Sequence, residues 1–123
     1  MKFLLDSVIL VDHFNGIKPA TEFLRATGAE ACLSVITRAE VLAGFDESRW
    51  TAALELIDLL PTLPLTARTA DIAARLRRSQ ALRLPDALQG ALAAEHRLVL
   101  ATRDARDFGR REGFEVLLPY RLP

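Results

Sequence analysis

Along the chain, short and nearly continuous apolar runs alternate with longer stretches in which apolar residues return every three or four positions. "FLL" at 3–5, "ACLSVI" at 31–36, "LPL" at 63–65, "LVLA" at 98–101 and "EVLL" at 115–118 have the length and composition of strands covered on both faces. A helix is expected to begin near Ser7, and "PATEFLRATG" reads as a helix stopped by Gly28. "TRAEVLAGF" and "ESRWTAALELIDLL" follow, the latter with Trp50, Leu54, Ile57 and Leu60 on one face. "TARTADIAARLRRSQAL", "PDALQGALAAEH" and the shorter "ARDFGRRE" complete the helical pattern. Strands alternating with helices build a mainly parallel sheet of about five strands with helices on both sides, a three-layer α/β/α fold. Repeats, low-complexity tracts and linkers are missing from the pattern, and 123 residues suit a single domain spanning 1–123.

The polar positions add the chemistry. Asp6 interrupts two apolar runs, where a charge is costly to bury unless something satisfies it. Asp6, Glu40, Asp86 and Asp104 all stand at expected helix starts, and each has a local explanation. Asp6 and Asp104 suit N-caps, "TRAE" (37–40) has the form of a capping box, and Asp86 follows Pro85 in a first turn, facing the positive end of the helix dipole. Capping does not explain why all four starts fall at one edge of the sheet. A helix that follows a parallel strand begins at the carboxyl edge, and so does one that feeds the next strand; ligands bind at that edge. Carboxylates gathered in a crevice raise one another's pKa unless a cation joins them, and an oxygen-only set favours a hard ion, Mg²⁺ or Mn²⁺.

Charge and composition narrow the classes further. Half of the residues are hydrophobic and the net formal charge is zero, so composition alone does not announce a nucleic-acid binder. The cations are nearly all arginine, Lys2 and Lys18 being the only lysines, with groups at 68–83 and 103–111. Arginine's planar fork suits phosphate, while the same residues also make ordinary solvated helix faces. His13 and His96 read as surface or helix-end residues, and Cys32, inside an apolar run, as a packing residue. Asp6 breaks the apolar start before it resembles a leader, and no run approaches bilayer length, so a cytoplasmic protein with no membrane association is expected.

Taken in order, "LLDSVILVDHFNG", "SVITRAEVLAGF", "LPDALQGALAAEHRLVLATRDARDF" and "GFEVLLP" resemble the PIN-domain ribonucleases, and within them the VapC toxins of toxin–antitoxin pairs. Nearly the whole chain is covered; each motif is weak, the ordered set specific. The resemblance implies a Mg²⁺- or Mn²⁺-dependent endoribonuclease that inhibits translation or growth. Its acidic positions fall on Asp6, Glu40, Asp86 and Asp104, with Asp107 a further, often acidic position and Ser7 and Thr102 supplying hydroxyls beside the site. Arg83 and Arg103 adjoin the acids in sequence and are the first candidates to hold RNA phosphates. The resemblance also implies an RNA substrate, a homodimer, and a cognate antitoxin with which higher assemblies form. The apolar faces of "WTAALELIDLL" and the segment near Phe14 and Phe23 either offer contact surfaces or pack inward.

Two departures from the family pattern stand out: "RSQALRLPDAL" lacks a glycine common before Asp86, and Gln89–Gly90 replaces a usually apolar and small pair. Other acid-at-sheet-edge classes fit less well. A receiver domain wants a lysine near a late strand, and a haloacid-dehalogenase-type phosphatase wants Asp two residues after the first, where this chain has Val8. The remaining alternative is a non-catalytic PIN-like module that binds RNA or protein.

Overall fold

A computed structural model describes residues 1–104 and 113–122. Five strands form one sheet: β1 (Phe3–Leu5), β2 (Ala31–Ser34), β3 (Thr62–Leu63), β4 (Val99–Ala101) and β5 (Glu115–Leu117). Their order is β3-β2-β1-β4-β5, and every neighbouring pair is parallel. Phe3 is level with Ala31 on one side and Val99 on the other, so β1 is the centre of the sheet. The connections leave β1 in opposite directions, which makes the space beyond the carboxyl ends of β1 and β4 the topological switch point.

The described helices are α1 (Ser7–Phe14), α2 (Lys18–Thr27), α3 (Val35–Ala43), α4 (Trp50–Ile57), α5 (Ala67–Ser79) and α6 (Leu84–His96). Alternation along β1 divides the core in two. Phe3 and Leu5 join Leu10, Leu33, Val41, Ala53 and Ile57 on the α1–α4 side. Leu4 points to the opposite face, among Leu76, Ala87, Ala91 and Leu92 of α5 and α6. The three layers expected from the sequence are therefore present. The α5–α6 hairpin is antiparallel: Thr69 near the start of α5 donates to Glu95 near the end of α6 at 2.7 Å. α6 thus runs toward the amino edge of the sheet, and its first turn lies at the carboxyl edge.

Several boundaries differ from expectation for identifiable reasons. Val35 and Ile36 are helical because Ser34 caps α3, accepting the Thr37 N–H at 3.0 Å. Thr37 and Glu40 are therefore not a capping box; both lie inside α3. β3 stops at Leu63, since Pro64 has no N–H to continue the ladder. Asp46 caps a 3₁₀ turn (Glu47–Arg49), which splits the expected 47–60 helix from its first residues. The apolar face near Phe14 and Phe23 packs inward: Phe14 meets Phe45 edge-on and Phe23 meets Phe3. The Trp50 indole donates to Leu42 O, while Leu59 beyond α4 remains exposed. The expected "ARDFGRRE" helix and Asp107 lie outside the described residues. Among the described residues, no helix is long and apolar enough to cross a membrane.

Candidate metal centre

Asp6 follows β1 directly and is the N-cap of α1. Its Oδ1 accepts the Ser7 N–H at 2.9 Å, and its Oδ2 accepts the Thr102 hydroxyl at 2.7 Å. Thr102 stands at the end of β4, so strand pairing itself brings residues 96 positions apart into contact. The Asp6 N–H in turn donates to Ala101 O at 2.9 Å. Burial raises the Asp6 pKa, hydrogen bonds from Thr102 and Ser7 oppose that shift, and the charge of Asp86 adds to it.

Asp86 sits in the first turn of α6, its side chain 16 % exposed, with the Arg83 guanidinium at 3.4 Å. Glu40 lies one turn beyond Thr37 on the exposed side of α3. Partial desolvation raises its pKa, followed by the charge of Asp6 and then Asp86; a hydrogen bond with Ser7 and the Arg83 charge pull it down. The fold thus brings Asp6, Glu40 and Asp86 within one electrostatic neighbourhood, with Ser7 and Thr102 beside them.

Asp104 reaches this group through its backbone. Its N–H donates to Thr102 Oγ1 at 3.1 Å, the same oxygen that donates to Asp6. Its side chain is half exposed and turned toward Arg103 Nη1, 3.6 Å away. Arg103 is engaged within the chain. Its Nε and Nη2 donate to the two oxygens of Asp12 at 2.7 and 3.1 Å, and the Tyr120 hydroxyl donates to the same carboxylate at 2.8 Å. Asp12 is 5 % exposed, and it is the polar residue that sequence reasoning missed. Like Asp6, it is a carboxylate inside an apolar stretch, "VILVDHF", and that signal was visible. Burial and the Asp12 carboxylate push the Tyr120 phenol well above its ordinary pKa. By contrast, the Arg83 side chain is 79 % exposed at the rim over Asp86.

Among the described residues, no group of three or more His, Cys, Asp or Glu side chains is drawn together tightly enough to hold a metal ion as it stands. The donor set nevertheless fits a hard divalent ion. It is all oxygen, the charge of Asp86 raises the Asp6 pKa and the charges of both raise that of Glu40, and Mg²⁺ keeps several waters and needs only one or two carboxylates directly.

The PIN domain family model matches residues 3–113. Among solved structures, a toxin–antitoxin complex from Klebsiella pneumoniae is 31% identical with a TM-score of 0.87, over 98% of this chain and 100% of that one. DNA-bound VapBC from Salmonella typhimurium is 23% identical with a TM-score of 0.81, over 95% and 97% of the two chains. FitAcB from Neisseria gonorrhoeae is also 23% identical, with a TM-score of 0.80 over the same shares. None of the curated protein sequences is significantly similar to the chain.

Proposed function

We propose that this chain, which belongs to the PIN-domain family, is a metal-dependent endoribonuclease and the toxin of a VapBC-type toxin–antitoxin pair that inhibits translation or growth. The observation that carries the nuclease reading is the coupling of Asp6, Glu40 and Asp86 at the switch point of a parallel sheet. The toxin reading is supported by the fold shared along nearly the whole chain with proteins in toxin–antitoxin complexes. A cognate antitoxin and a second copy of the chain are the partners this reading entails.

In this reading Asp6 and Asp86 hold Mg²⁺ or Mn²⁺, with Glu40 and Asp104 in support. The bound ion supplies positive charge against the transferring phosphoryl group and makes hydroxide accessible near neutral pH. Ser7 N–H and the Thr102 hydroxyl fix the Asp6 carboxylate so that it does not reorganise during the reaction. Glu40, beside Ser7 and within reach of the charges of Asp6 and Asp86, takes the proton of the attacking water. The water oxygen bonds to phosphorus as the P–O3′ bond breaks in line; the 3′-oxygen takes a proton from solvent to leave as a hydroxyl, and the other product carries the 5′-phosphate. Arg83, exposed beside Asp86, holds an RNA phosphate, and binding is accordingly salt-sensitive.

Cleavage of total RNA by the purified, antitoxin-free protein tests this, with Mg²⁺, Mn²⁺ or EDTA and beside Asp6→Asn. Discrete fragments with 5′-phosphate ends, requiring both metal and Asp6, are the expected result. Intact RNA at every metal concentration with folded protein rejects the nuclease and leaves an RNA- or protein-binding module.

A further inference from the structure

Gln89 is 2 % exposed, one turn after Asp86 on α6, where Ala87, Ala91 and Leu92 are fully buried around it. A primary amide is a costly group to place there, because each of its hydrogen-bonding atoms must find a partner away from water. Packing alone would be served by an apolar side chain of similar volume.

The partners it finds are specific. Its Oε1 accepts the Ser34 hydroxyl at 2.6 Å and its Nε2 donates to Thr37 Oγ1 at 2.8 Å. The orientation of the amide is determined by the neighbours. Thr37 gives its one hydroxyl proton to Leu5 O at 3.2 Å, so its oxygen is left to accept, and only the NH₂ end of Gln89 can donate to it. Ser34 Oγ accepts the Thr37 N–H, and its proton goes to Oε1, the nearer acceptor at 2.6 Å against 3.5 Å for Thr37 Oγ1.

The residues joined in this way belong to the three elements that carry the acids. Leu5 precedes Asp6, Thr37 lies one turn before Glu40, and Gln89 lies one turn after Asp86. We propose that Gln89 is a positioning residue of the metal centre, locking the end of β1, the first turns of α3 and the first turn of α6 in mutual register so that Asp6, Glu40 and Asp86 face one ion. The proposal rests on the metal-nuclease reading and specifies what holds its acids in place.

The test compares wild type, Gln89→Met, Thr37→Val and Thr37→Ser. The measurements are Mn²⁺ affinity by calorimetry, metal-free thermal unfolding, and steady-state RNA cleavage. Gln89→Met keeps the volume and removes the amide. It is expected to weaken Mn²⁺ binding about tenfold or more, the range seen when residues supporting metal ligands are lost. Its kcat falls in parallel while KM for RNA stays near wild type, because the phosphate contacts lie elsewhere. Thr37→Val weakens Mn²⁺ binding in the same direction, and Thr37→Ser, which keeps the hydroxyl, restores most of it. Wild-type Mn²⁺ affinity in folded Gln89→Met overturns the proposal. If that variant does not fold, equal affinity in Thr37→Val and Thr37→Ser overturns it instead. Wild-type protein that binds Mn²⁺ but cleaves nothing removes the nuclease reading and leaves the affinities to decide the role of Gln89. Wild-type protein that binds no Mn²⁺ removes both.

Discussion

Breaking the Asp12–Arg103 pair from either side is expected to have unequal consequences. The Asp12 side chain is 7 % exposed and the Arg103 side chain 28 %. Arg103→Ala removes two charge-assisted bonds and leaves a buried carboxylate with, among the described residues, only the Tyr120 hydroxyl, and such orphaned charges cost about 3–5 kcal/mol. Asp12→Ala leaves a guanidinium that solvent already reaches, so the loss is about 2–3 kcal/mol, near that of its charge-assisted hydrogen bonds. For a domain of this size, roughly 4 °C of Tm accompanies each kcal/mol, giving falls of about 12–20 °C and 8–12 °C. The double variant has no orphaned charge, so its loss falls short of the sum by at least about 1 kcal/mol. Urea unfolding at pH 7, with thermal melts as a second probe, measures all three. Additive losses, or Asp12→Ala proving worse than Arg103→Ala, would refute the reasoning.

Asp6→Asn is expected to abolish RNA cleavage while leaving the metal-free Tm equal or higher, because it neutralises a desolvated charge beside Asp86; a clear fall in Tm contradicts this. For the metal-free protein, Asp6 and Glu40 have folded-state pKa values above their unfolded ones, so the folded state binds more protons. Their contribution to stability is therefore present at low pH and is lost as pH rises from about 4 through the raised folded values. Urea midpoints between pH 4 and 7 read this, and Asp6→Asn flattens the Asp6 part; an unchanged profile in that variant sinks the assignment. In Gly90→Ala the new Cβ meets the Phe114 ring at 2.7 Å. Overpacking costs about 1–3 kcal/mol against a helix-propensity gain near 1 kcal/mol, so net destabilisation is expected and a raised Tm contradicts it.

Much of this architecture is legible in the sequence, and the failures have physical causes. The central and late strands are marked by apolar runs because both faces of a parallel sheet are covered. Asp6 and Asp86 are legible because parallel topology alone sends the starts of α1 and α6 to one edge, whereas Glu40 lies in the second turn of α3. The capping box was misplaced since both Ser34 and Thr37 are chemically able to cap, and only the end of β2 decides between them. The Asp12–Arg103 pair spans 91 residues, and no local period encodes a contact of that range. Gln89 was visible as a departure from the family pattern, but its partners on α3 and β2 emerge only when the layers are stacked.

The position of β1 at the middle of the sheet also bears on the order in which the molecule comes into being. Its two neighbours are β2, some 28 residues later (Phe3 with Ala31), and β4, some 96 residues later (Phe3 with Val99). While the chain is being synthesised, Asp6 belongs to an edge strand, its backbone N–H waits for Ala101, and its carboxylate waits for Thr102. Pairing at such separation closes late in folding, after the local helical contacts. The acidic centre is therefore a late assembly: Asp6 meets its partners only once residues 84–102 have emerged and docked beside β1.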